Sequence, residues 1–205
     1  KNRGKSPLNM SSPEFKEMSF ASNLYETSEW VDGDTIRTAM GQGFNNFSPA
    51  VMCRYISIIA NRGEKYDFHL LNRMVTDNEV LEYAPRYSTI GSEISEHSWD
   101  VLYTGMYRCV SGQNGTARSI FQGFPIEVAG KTGTAEQIDT RPEHTSFGGF
   151  APFDEPEVAV YVMIPFSDSK ATSSPATILA RKVLESYFKL DSEIEPVTPV
   201  NGLTE

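Results

Sequence analysis

Apolar residues recur at helical spacing in three stretches of the chain and run almost unbroken in three others, with polar and glycine- or proline-containing segments between them. Ser48-Pro49 opens the first helix, with serine as N-cap and proline in the first turn. Val51, Met52, Tyr55, Ile56 and Ile59 form its predicted buried stripe, and Gly63 ends it. Ser98 is predicted to cap a second helix, buried through Val101, Leu102, Met106 and Cys109 and stopped by Gly112, after which Gln113-Asn114-Gly115-Thr116 has turn chemistry. A third begins at Ser174-Pro175 and buries Leu179, Val183 and Tyr187, with Leu184 and Phe188 beside them. The continuous apolar runs predict strands over 126–134, 145–151 and 158–164, the last two joined by Phe153-Asp154-Glu155-Pro156. A hairpin is predicted from 68–75 to 79–83 with Asp77-Asn78 at its turn, and 84–97 reads as a loop.

These elements divide the chain into an irregular segment over 1–38, a folded region over 39–190 and a disordered tail over 191–205. The first segment is polar and carries Ser-Pro pairs, with a short helix around 13–18. A parallel crossover needs about a dozen residues or more. The links among the three long strands are shorter, ten residues at most between Thr134 and Thr145, so the strands should be antiparallel. The expected class is α+β: an antiparallel sheet flanked by helices.

Composition narrows the function. Of 205 residues, 39% are hydrophobic and 22% charged, as in an ordinary globular domain. A net charge of −9 disfavours a nucleic-acid partner, which would require a basic face. No stretch approaches the about eighteen apolar residues that cross a bilayer, and Lys1-Asn2-Arg3-Gly4-Lys5-Ser6 leads into no apolar signal core. Cys53 and Cys109 both fall on predicted apolar stripes and read as buried thiols. His69, His97 and His144 lack the spacing of a metal site, so no metal or other cofactor is expected.

Candidate chemistry concentrates in Lys131-Thr132-Gly133-Thr134-Ala135-Glu136-Gln137. Gly-Lys-Thr could end a phosphate loop, but that loop needs glycine where Pro125 stands, and a strand rather than a glycine-rich turn leads into the lysine. The other reading is the Lys-Thr-Gly signature of serine acyltransferases that recognise penicillin. A lysine beside a reacting serine supplies positive charge that favours proton transfer and attracts an anionic substrate end. A glycine lets a strand edge lie against a substrate backbone. Thr132 and Thr134 offer hydroxyls to a carboxylate, and a strand N–H can face a carbonyl oxygen as it becomes an oxyanion.

Further segments strengthen this reading. His144-Thr145-Ser146-Phe147-Gly148-Gly149-Phe150-Ala151-Pro152, Pro156-Glu157-Val158-Ala159-Val160 and, upstream, Gly41-Gln42-Gly43-Phe44-Asn45-Asn46-Phe47-Ser48-Pro49 appear in order. From about Ala39 to Phe188 the chain resembles the C-terminal part of the transpeptidase domain of penicillin-binding proteins, and Lys-Thr-Gly-Thr-Ala-Glu is similar to the class B enzymes. The resemblance implies the penicillin-binding protein/β-lactamase-like fold, here incomplete, and a peptidoglycan D,D-transpeptidase at the extracytoplasmic face of a bacterial membrane, its anchor outside this chain. It implies catalytic roles for Lys131 and Thr134, the latter through its backbone N–H in an oxyanion hole. It also implies substrate binding by Thr132, Gly133, Thr134 and Ala135. The implied ligands are a stem peptide ending in D-Ala-D-Ala and β-lactams.

The same resemblance requires Ser-x-x-Lys, bearing the nucleophile, and Ser-x-Asn upstream of Lys131, and neither occurs there. Ser167-Asp168-Ser169-Lys170 fits the letters but follows the last strand. The chain is therefore expected to be an inactive portion whose partner is the missing N-terminal half of the domain, with an exposed edge on the 158–164 strand that invites oligomers. Two rivals remain: a β-lactamase or β-lactam sensor of the same fold, and a non-catalytic scaffold module.

Overall fold

The structure is a computed structural model that describes residues 12–21, 27–43, 45, 47–71, 73–76, 79–84, 86–136, 142–167 and 174–190. The chain forms two compact units, Lys1–Met52 and Cys53–Glu205, so the boundary falls inside a helix and beyond the 38/39 division expected from composition. The tail over 191–205 and the Asp77-Asn78 turn lie outside the described residues.

The first unit contains α1 (Pro13–Ala21) and α2 (Asp32–Ala39). The second of these occupies a stretch read from the sequence as irregular. Neither helix carries an apolar stripe; their buried residues are Lys16, Ser19 and Asp34. Lys16 Nζ lies 2.8 Å from Asp34 Oδ2 and donates to the Glu29 carbonyl, while Asp34 Oδ2 also accepts the Val31 N–H at 3.0 Å, closing the first turn of α2. Hydrophobic periodicity finds no such helix because an ion pair, rather than apolar area, fills its buried side. The Lys16 ammonium and the Val31 N–H hold the Asp34 carboxyl below the usual carboxylate range.

The second unit begins within α3 (Pro49–Ala60), whose buried residues are Ile56, Ile59 and Ala60. Val51 and Tyr55, expected in that stripe, are exposed. Two small ladders follow: β1 (Glu64–Tyr66) with β4 (Tyr87–Thr89), and β2 (Arg73–Val75) with β3 (Val80–Glu82). The second is the predicted hairpin, shortened. The first was missed, since β4 lies in the predicted loop and three-residue strands leave no period-two signal.

Helix α4 (Glu96–Ser111) starts one turn earlier than expected. Ser95 is its N-cap, with Oγ accepting the Ser98 N–H at 3.1 Å. Its buried stripe is Trp99, Tyr103, Met106 and Val110, while Val101 and Leu102 face outward. The aromatic rings, which bring more apolar surface than Val or Leu, take the inward face. A short α5 (Arg118–Phe121), not foreseen, buries Phe121.

Strands β5 (Ala129–Ala135), β6 (His144–Ala151) and β7 (Val158–Ile164) form the expected antiparallel sheet, in that order. Successive side chains point to opposite faces. Phe147 and Val160 join Val110, Phe121, Val128, Ala180 and Leu184 on one face. Phe150 and Ala129 join Ile56, Ile59, Tyr103 and Met106 on the other. Among the described residues β7 pairs only with β6.

The last helix, α6 (Pro175–Tyr187), covers the first face through Ala176, Thr177, Ala180 and Leu184. Leu179, Val183 and Tyr187 are exposed, so the expected stripe is rotated. Small residues let the helix backbone approach the sheet closely, and that geometry outweighs the larger side chains on the far side.

Two measurements test this packing. Leu184→Ala should destabilise the chain by about 2–5 kcal/mol in urea titration, and Leu179→Ala by less than about 1 kcal/mol; the reverse order would restore the sequence-based stripe. Because the Asp34 pKa is depressed on folding, its contribution is present above about pH 4 and is lost as pH falls through the lowered value. Acid titration followed by Trp30 fluorescence should show this loss, and Asp34→Asn should remove it.

Candidate functional site

Lys131, Thr132, Gly133, Thr134 and Ala135 all lie in β5, paired in register with Gly148, Phe147, Ser146, Thr145 and His144 of β6. Gly130 is a strand residue within the same ladder, which removes the phosphate-loop reading. Lys131 and Thr134 are exposed, and Thr132, Gly133 and Ala135 are half-buried. By strand alternation Lys131, Gly133 and Ala135 share one face, and Thr132 and Thr134 share the other.

The neighbouring strand comes close to Gly133. A Cβ there would stand 2.4 Å from Ser146 Oγ, with the Ser146 Cβ and backbone 3.8 Å or more away, so a side chain would be admitted only by turning the serine hydroxyl aside. Half-buried Ser146 is a direct neighbour of the motif, so the glycine that the sequence assigned to substrate approach also faces the next strand.

A groove of about 490 Å³ opens beside Lys131, walled by Gly105, Arg108, Cys109, Asn114 and Thr116 among others. It exists because α4 ends abruptly. Gly112 N–H bonds the Arg108 carbonyl at 2.9 Å and Ala117 N–H reaches back to the Cys109 carbonyl at 3.0 Å, folding residues 112–117 under the last turn of the helix. Gly115 passes so close that a Cβ would lie 2.5 Å from the Cys109 carbonyl oxygen. The fold-back delivers Thr116, whose Oγ1 lies 2.8 Å from Thr132 Oγ1 and 3.2 Å from Cys109 Sγ. Lys131 Nζ donates to the Thr132 carbonyl at 2.8 Å. With Arg108 and Lys131 on its walls and hydroxyls at its edge, the groove suits an anionic group.

Cysteine burial is less complete than the stripes implied: Cys53 and Cys109 are both half-buried free thiols. Burial raises the Cys53 pKa, and its Sγ lies 3.6 Å from the Ala159 carbonyl. His144 has a structural part, its Nδ1 accepting the Phe166 N–H at 3.0 Å, and Thr145 Oγ1 meets Ser167 Oγ at 2.7 Å beside it. Together these clasp the start of β6 to the chain leaving β7. Gln137 lies outside the described residues. A cavity of about 360 Å³ at Ala60, Arg62, Tyr103 and Asp154 contains no motif residue, and Arg62 is committed to Glu96 and Asp100 at 3.0 and 2.8 Å.

Residues 11–185 match the family model of the penicillin binding protein transpeptidase domain. The chain belongs to that family. The match includes 11–38, which the sequence motifs had left outside the resemblance, and the Lys-Thr-Gly-Thr-Ala-Glu stretch is that of a class B domain. Peptidoglycan D,D-transpeptidase MrdA of Haemophilus influenzae is 31% identical over 176 residues, covering 78% of this chain and 26% of the relative. MrdA of Escherichia coli is 27% identical over 202 residues, covering 91% of this chain and 30% of the relative. The chain thus spans less than a third of the length of these curated relatives. Among solved structures, penicillin-binding protein 2B of Streptococcus pneumoniae superimposes with a TM-score of 0.70 at 26% identity, over 83% of this chain and 29% of that one. Pseudomonas aeruginosa PBP2, solved in complex with WCK 5153, gives 0.63 at 25% identity, over 90% and 39%. The α+β fold expected from the strand pattern is the fold of these transpeptidase domains.

The contact between Gly133 and Ser146 can be separated from any ligand role. Gly133→Ala should cost up to about 1 kcal/mol in urea titration, the expense of turning the Ser146 hydroxyl aside, and Ser146→Ala placed in the same chain should recover most of it. Failure of that rescue would return the glycine to a purely substrate-facing role.

Proposed function

We propose that this chain supplies the Lys-Thr-Gly wall of a class B peptidoglycan D,D-transpeptidase, and that the reactive serine comes from polypeptide outside it. The observation that carries the reading is the groove between β5 and the end of α4, walled by Lys131, Arg108 and Thr116, in a chain of this family.

In the assembled enzyme the serine hydroxyl, losing its proton to a neighbouring base, attacks the penultimate D-Ala carbonyl of a stem peptide. The carbonyl electrons move onto oxygen, which the Thr134 N–H stabilises as half of an oxyanion hole. Collapse breaks the peptide bond and expels terminal D-Ala with a proton on its nitrogen. An amine of a neighbouring strand then attacks the acyl-enzyme, forming the cross-link and returning the serine. Lys131 provides positive charge at the reacting serine, while Thr132 and Thr134 hydroxyls hold the terminal carboxylate, with Gly133 and Ala135 along the substrate backbone. A β-lactam enters the same way and remains as the acyl-enzyme. The substrate places this work at the extracytoplasmic face of the membrane. β7 is the edge against which a strand of the missing half, or of a second copy, would pair.

Fluorescent penicillin decides between the readings. A longer protein carrying this chain behind Ser-x-x-Lys should become labelled on that serine and stay labelled. Lys131→Ala should slow acylation about a hundredfold. This chain alone should remain dark. Labelling of the isolated chain would overturn the external serine, rapid loss of label would indicate a β-lactamase, and a dark longer protein would indicate a scaffold module.

A further inference from the structure

We propose that Thr116 is a positioning residue for Thr132, a role that rests on the function proposed above and extends it to a residue outside the Lys-Thr-Gly motif. Thr116 Oγ1 lies between Cys109 Sγ at 3.2 Å and Thr132 Oγ1 at 2.8 Å, forming a three-member chain that ends on the motif. Cys109 and Thr116 also wall the groove beside Lys131, so two members of the chain border the place where the function proposed above puts a ligand anion.

The direction of the protons follows from the donor inventory. A hydroxyl donates one proton and accepts with two lone pairs, whereas a carboxylate only accepts. When Thr132 gives its proton to a carboxylate, its oxygen must act as acceptor toward Thr116. Thr116 then accepts from the Cys109 S–H, a weak donor. Only one polarity satisfies every member: Cys109 to Thr116 to Thr132 to anion. Hydrogen bonds aligned in this way polarise one another, so Thr116 strengthens the proton that Thr132 offers and fixes the rotamer from which it is offered. The fold-back of residues 112–117 holds Thr116 in place, because Gly115 is wedged against the Arg108 and Cys109 carbonyls. Nothing in residues 113–116 alone separates this role from a plain turn; only the contact with Thr132, sixteen residues later, does so.

The test uses the longer, serine-bearing protein and compares Thr116→Val, which removes the hydroxyl at constant shape, with Thr116→Ser, which keeps it. Acylation by fluorescent penicillin is resolved into initial binding and the chemical step, alongside the melting temperature. Thr116→Val should weaken initial binding about three- to tenfold, as for one lost hydrogen bond, at an unchanged melting temperature. Thr116→Ser should recover most of that loss. In a Thr132→Val background Thr116→Val should have no further effect. Wild-type binding in Thr116→Val overturns the inference, as does an undiminished effect in the Thr132→Val background. A serine variant as poor as the valine variant also overturns it. If the unsubstituted protein is not labelled, both this inference and the function beneath it fall; if it is labelled and Thr116→Val matches it, only this inference does.

Discussion

Phe147 and Phe150 project from opposite faces of β6 and are both wholly excluded from water. A strand that buries a large ring on each face must be covered on both sides, and the second unit is arranged around that requirement. Helix α6 and the end of α4 close over Phe147; α3 and the middle of α4 close over Phe150. With β6 immobilised in this way, β5 inherits a defined plane and register, because each of its motif residues is paired to a β6 residue. The orientation of Lys131 is therefore a consequence of aromatic packing one strand away.

Helix α4 links that core to the site. Tyr103 and Met106 serve one sheet face and Val110 the other, so the helix runs beside β5 and ends near Thr132. The termination at Gly112 and the close passage of Gly115 turn the chain back sharply enough to set Thr116 against the motif. The groove beside Lys131 is made by this ending. Among the described residues of the two helices of the first unit, the buried side chains are polar and include a lysine–aspartate pair. A buried ion pair depends on good geometry to offset desolvation, and here the Glu29 carbonyl and Val31 N–H supply the additional hydrogen bonds.

Much of the fold was legible in the residues. The three long strands announced themselves as apolar-rich runs, and short links forced them antiparallel. The helix starts at Pro49 and Pro175 were marked by the Ser-Pro pairs, and the Lys-Thr-Gly stretch pointed to the family. Faces were less legible. In α6 the sequence favours Leu179, Val183 and Tyr187 with Leu184 beside them, yet of these only Leu184 faces the sheet, together with Ala176 and Ala180, since periodicity reports a stripe without saying how close the backbone must come. In α4 the true stripe was displaced by the aromatic residues. Helix α2 was invisible because its buried side is charged.

The local order of residues alone determined the three long strands, the helix starts at Pro49 and Pro175 and the motif whose types suit an acyltransferase; these depend on interactions within a few residues along the chain. Tertiary structure decided which helix faces are buried, that Gly133 lies against Ser146, and that Thr116 stands against Thr132. Those are contacts between segments distant in sequence, and their existence is settled by packing, which no local pattern encodes.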